Sequence, residues 1–212
     1  MSLNHIIYPL EEQTERLNID VCDIHCCRIY SETPLISYDN IEIRAYEQLS
    51  PDVNISGGQP EKTIFNTTGA LGSNLIPANS VRKGSKYKVY SHGQIETDGA
   101  NQQFIIKTKL GTAVIEEKTI TLPNLNNGSI YQFNGEILLY QIGDAGTAIA
   151  KSFFNFSFTD QQGNTENYFI DEINNTTFQT TADAVADITV QWVNINPTNL
   201  FSCHSLTITK IY

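Results

Sequence analysis

Charge is scarce in this chain. Of its 212 residues, 17% are Asp, Glu, Lys or Arg, against roughly a quarter in an ordinary soluble domain. The charge is mostly negative, with 23 acidic side chains against 13 basic ones and a net of −10. That balance lacks the basic footprint a nucleic-acid binder needs. No apolar run reaches the ~18 residues that cross a bilayer as a helix. The opening stretch, MSLNHIIYPLEEQTE, has neither a basic start nor a long apolar segment, so no signal peptide is expected. Cysteine is scarce as well: Cys22, Cys26, Cys27 and Cys203. Three of them crowd into six residues, a poor disulfide framework, and reduced thiols in a reducing compartment are expected. Phosphate loop, dinucleotide fingerprint and G-x-S-x-G elbow are all absent.

In place of charge the chain carries neutral polar and β-branched residues: 20 Asn, 21 Thr and 26 Ile, a strand-leaning and turn-leaning composition. At 40% hydrophobic it can bury a sizeable core. The acidity is concentrated early. Residues 1–55 hold ten acidic and three basic side chains, and residues 56–212 hold thirteen and ten. Between them Asn54-Ile55-Ser56-Gly57-Gly58-Gln59-Pro60 reads as a linker. The expected organisation is an acidic N-terminal extension over 1–57 and a main domain over 58–212. Within the extension, LEEQTERL (10–17) suits a helical turn or two, while VCDIHCCRIY (21–30) and ISYDNIEIRAY (36–46) look like strands.

The main domain reads as β throughout. Lys86 to Ile95 alternates polar and larger side chains, the period of a half-buried strand. Further strands are expected over 103–110, 113–121, 130–142, 153–159, 185–196 and 206–212. In FFNFSFT (153–159), Phe154, Phe156 and Phe158 share one face and Phe153 takes the other. Asp98-Gly99, Leu110-Gly111-Thr112, Asn126-Asn127-Gly128, Gly143-Asp144-Ala145-Gly146 and Gln162-Gly163-Asn164 supply the turns. About eight antiparallel strands at this spacing make an all-β sandwich or barrel.

Candidate chemistry is thin. Cys22, His25, Cys26 and Cys27 suggest a metal site, but only the distant Cys203-His204 is available to complete a ligand set. On a strand Cys22 and Cys26 share a face, and His25 and Cys27 take the other. The same alternation separates Cys203 from His204. None of His5, His25, His92 and His204 sits beside a nucleophile in a recognisable motif such as G-x-S-x-G. Glu116-Glu117 and Asp171-Glu172 are neighbours in sequence and read as solvated strand-end or turn charges. The basic cluster Arg82, Lys83, Lys86 and Lys88 suits an acidic surface, such as residues 1–57 of a neighbouring copy, or plain solvation where a strand begins. No catalytic, cofactor-binding or metal site is expected.

The block Leu75-Ile76-Pro77-Ala78-Asn79-Ser80-Val81-Arg82-Lys83-Gly84-Ser85-Lys86-Tyr87-Lys88-Val89 has a counterpart elsewhere. Followed by Gly93-Gln94-Ile95 and by Phe104 to Gly111, it resembles an IPAN…GxxY turn and a Lys-x-Leu-Gly strand of viral β-proteins. These recur in single jelly-roll capsid proteins of large and giant double-stranded DNA viruses and in phage tail or fibre modules. The resemblance implies a single jelly-roll β-sandwich with an N-terminal extension. It implies a capsid vertex (penton) subunit, without catalysis, that assembles as a homopentamer with neighbouring capsid proteins. Such a protein resides in the virion, is assembled in the host cytoplasm, inserts in no membrane and needs no cofactor. The alternative is a trimeric fibre head or other minor capsid protein that binds a receptor or glycan; residues 1–57 lack the heptads or repeats of a fibre stalk. A cupin-like enzyme on the same fold needs several converging histidines, which four scattered ones do not supply.

Overall fold

A computed structural model describes residues 42–48, 52–66, 68, 70–81, 83–125, 128–142, 147–160, 162–170 and 176–211. All belong to the compact unit Tyr38–Tyr212. The all-β antiparallel sandwich expected from the sequence is what these residues form, and no helix occurs among them. In chain order the strands are β1 (Glu42–Gln48), β2 (Val53–Ser56), β3 (Lys62–Thr63), β4 (Ala70–Gly72), β5 (Leu75–Ile76), β6 (Lys86–Glu96) and β7 (Gln102–Leu110). They continue with β8 (Ala113–Leu122), β9 (Ser129–Ile142), β10 (Thr147–Thr159), β11 (Thr165–Ile170), β12 (Thr176–Gln179), β13 (Ala184–Trp192) and β14 (Leu200–Ile211).

Nine strands make a large sheet in the order β11-β10-β9-β6-β14-β1-β4, with β12 sharing the edge of β10 and β2 that of β14. Five make a small sheet, β3-β13-β7-β8, with β5 beside β3 along β13. The chain crosses repeatedly between the sheets, in the manner of a jelly roll. The described part of residues 1–57 is built into the large sheet, where β1 and β2 both pair with β14. Gly57 and Gly58 form a turn bonded to the β13–β14 connection, through Gly57 N–H to Asn199 O at 2.9 Å.

The two sheets face each other across an aromatic core. Phe104 on β7 meets Phe156 on β10 edge-on at 5.3 Å between centroids, Phe201 on β14 at 6.1 Å and Trp192 on its own sheet at 5.6 Å. Tyr131 on β9 stacks on Phe201 at 4.4 Å, and the Trp192 indole donates to Ile55 O at 3.1 Å. Alternation supplies these contacts: in β10 Phe154, Phe156 and Phe158 turn inward and Phe153 outward. Each buried ring contributes roughly 1.5–3 kcal/mol by leaving water.

The IPAN segment is a clamp at one end of the sandwich. Asn79 sits at φ +59°, a left-handed conformation that asparagine tolerates better than most residues. Its N–H donates to Thr180 O at 2.7 Å, and the Ala78 N–H donates to the Asp183 carboxylate at 2.8 Å. Gly84, at φ +89°, then starts the run into β6, where Tyr87 and Val89 both point inward. Further along β6, a side chain at Gly93 would begin 1.8 Å from Ser202 O. Only glycine lets β6 and β14 close there.

Two bulges re-aim side chains. On β8, Thr108 pairs with Glu116 and Lys109 with Val114, so Ile115 is the extra residue. On β14, Cys203 pairs with Gly93 and Ser205 with His92, so His204 is extra.

Phe104→Ala removes the ring that both sheets share and is expected to cost about 3–5 kcal/mol. Phe153→Ala, on the outer face, is expected to cost under about 1 kcal/mol. Denaturant unfolding of both variants checks the contrast.

Candidate functional site

Residues forced outward by the alternation form rows across the large sheet, because the pairing register places them side by side. One row runs Asn155 (β10), Asn134 (β9), Tyr90 (β6), Thr207 (β14). The next runs Phe153, Glu136, Lys88, Thr209, and on the other side lie Ser157, Gln132, His92 and Ser205. Tyr90 is 41% exposed, Phe153 44% and, on β11 opposite Asn155, Phe169 72%. The Tyr90 and His92 rings lie 5.9 Å apart.

A surface cavity of about 340 Å³ lies in this face, lined by Lys88, Tyr90, Asn134, Glu136, Thr207 and Thr209 among others. Lys88 faces Glu136 in register, and Glu136 accepts from Lys86 at 3.0 Å. The Asn155 Oδ1 and His92 Nδ1 atoms are buried and take no hydrogen bond. A second cavity, about 320 Å³, opens at the end of the sandwich between the β7–β8 turn and the residues leading into β13.

Among the described residues, those singled out in the sequence do not converge. Cys22, His25, Cys26, Cys27, His5, Arg82, Asp171 and Glu172 lie outside the described residues. Cys203 is a buried thiol against Ser91 Oγ at 3.3 Å, which itself lies 3.2 Å from the Tyr131 hydroxyl. Burial pushes the Cys203 thiol up and the Tyr131 hydroxyl well up. His204 points away from Cys203, half exposed, with Nε2 3.6 Å from Asp52. Lys86 is paired with Glu136 at the start of β6. Among the described residues no three His, Cys, Asp or Glu side chains gather as a metal site.

One expectation is overturned. Glu116 is not a solvated strand-end charge: it is 2% exposed and accepts from Ser152 Oγ at 2.5 Å inside the sandwich. The bulge at Ile115 is the cause, since it turns two successive residues of β8 inward. Glu117 does reach solvent, 3.2 Å from Lys107.

Sequence reasoning missed Tyr90, Asn134 and Asn155 as a group. The period of β6 marks Tyr90 as outward, but the partner strands come from residues far along the chain. Only the register brings them together.

No protein-family model matches this sequence, and no curated protein does. Among solved structures, the CBM2 module of the evolved Dit of Lactobacillus casei BL23 phage J-1 is 10% identical, over 82% of this chain and 97% of that one, with a TM-score of 0.37. The Lotus tetragonolobus seed lectin is 8% identical over 80% and 99%, and peanut lectin 9% over 85% and 94%, both also at 0.37. Likeness at this level carries nothing about function.

The small sheet's outer face is different in kind. Glu61 accepts from Lys109 and, at 2.7 Å, from the Thr189 hydroxyl, and lies 3.1 Å from Lys107. Burial pushes the Glu61 carboxyl up, but the bonds from Lys109, Thr189 and Lys107 outweigh it and hold the group at about 2, against an ordinary 4.5. A carboxyl depressed by folding stabilises the fold above its unfolded value and loses that contribution as pH falls towards the folded one. Wild type is therefore expected to lose stability relative to Glu61→Gln between about pH 5 and pH 2. Unfolding midpoints of the two proteins across that window measure the difference; parallel curves contradict the role given to Glu61.

Proposed function

We propose that this chain is a viral structural protein that works by assembly and surface recognition and catalyses nothing. The finer reading is a capsid vertex subunit, five copies of which associate with one another and with neighbouring capsid proteins in the virion. The observation that carries it is the IPAN block: the residues that resemble viral jelly-roll modules form the turn such a module needs, with Asn79 left-handed and bonded to Thr180 and Tyr87 and Val89 entering the core. The low charge content of the chain, 17%, agrees with it, because neutral amides and hydroxyls cost less to desolvate in an interface than ions.

A second reading is the head of a viral fibre that binds a receptor or glycan. The exposed rings of Tyr90, Phe153 and Phe169, set among Asn and Gln side chains, favour it.

Light scattering coupled to size exclusion separates the two. A homopentamer, 5 × 23.7 ≈ 118 kDa, is the result expected of a vertex subunit. A stable trimer, 3 × 23.7 ≈ 71 kDa, contradicts the vertex role and supports the fibre head.

A further inference from the structure

We propose that the outer face of the large sheet, centred on Tyr90 and Asn134, is a binding site for a neutral oligosaccharide. The inference extends the recognition reading above and holds for either oligomeric state. Sugars present two chemistries at once. Their ring faces carry C–H groups that pack on aromatic rings, and their edges carry hydroxyls that both donate and accept hydrogen bonds. This face offers both complements. Tyr90 supplies a ring on a central strand, and Phe153 and Phe169 supply rings on β10 and β11. Between them stand Asn134 and Asn155, with Gln132 in the adjoining row. A side-chain amide presents a donor and an acceptor together, which matches neighbouring hydroxyls as a single charge does not.

The spacing suits an extended ligand. Strands lie about 4.8 Å apart, so Tyr90 on β6 and Phe153 on β10, two strands away, stand roughly 10 Å apart across the sheet. The rings are therefore separate platforms with polar ground between them. The cavity of about 340 Å³ lies over Tyr90, Asn134 and Thr207, within the range of small-ligand sites. Lys88 and Glu136 face each other in register on adjacent strands, and Lys86 bonds Glu136. The amides of Gln132 and Asn134 match the hydroxyls of a neutral glycan.

The experiment is a microarray of neutral, sialylated and sulfated oligosaccharides probed with the full chain, followed by calorimetric titration with the glycans that bind. Tyr90→Ala and Asn134→Ala are expected to weaken binding tenfold or more. Tyr90→Phe, which keeps the ring and the strand, should weaken it less, and Asn134→Ser guards against a variant that fails to fold. Val114→Ala, exposed on the small sheet, should bind as wild type does. Three results overturn the proposal: no neutral glycan bound, anionic glycans alone bound, or binding that Tyr90 and Asn134 substitutions leave untouched. None of these depends on the mass of the assembly, so the site and the vertex role fail separately.

Discussion

The contact of Phe104 with Phe156 and Phe201 is the interaction on which the rest of the molecule depends. Neither sheet has a reason to exist alone, since each carries one apolar face that must be covered. Phe104 reaches across from β7, Phe156 and Phe201 reach back from β10 and β14, and Trp192 backs Phe104 from the adjacent strand. Once those rings are inside, the period of two fixes every other position on the same strands. Lys88, Tyr90 and His92 have to face outward because Tyr87, Val89 and Ser91 face inward. The face proposed as a binding site is in this sense a by-product of the core.

The two outer faces made this way differ in character. On the small sheet Glu61, Lys107, Lys109 and Glu117 neutralise one another in a bonded network. Their polarity is already used by the fold. On the large sheet the outward residues are mostly amides, hydroxyls and separated rings. A low charge content, visible as a plain compositional fact, thus has a local consequence: one broad face on which amides, hydroxyls and rings outnumber ions.

Much of the fold is legible in the sequence, and the reasons are local. Alternation marks the long strands such as β6 and β10, and the face shared by Phe154, Phe156 and Phe158 follows from the same period. Asn79 and Gly84 mark the IPAN turn because few residues accept their backbone angles. The short strands β2, β3, β4, β5 and β12 carry too few residues to show a period. The burial of Glu116 is illegible because it follows from a bulge, and a bulge is a property of a strand pair rather than of one strand. The row Asn155, Asn134, Tyr90, Thr207 is illegible for a related reason: it draws on four strands whose pairing is set by long-range contacts, while each residue alone looks like an ordinary solvent-facing position.

The central claim is that β6 divides into an inner face that holds the protein together and an outer face free for recognition. An alanine scan of β6, read by unfolding free energy, tests it most directly. Tyr87, Val89, Ser91 and Ile95 should be destabilising at every second position, while Lys88, Tyr90, His92 and Gln94 between them should stay within about 1 kcal/mol of wild type. Losses at Tyr90 and His92 equal to those at Val89 and Ile95 would show that the outer face is spent on the fold itself, and would contradict the account.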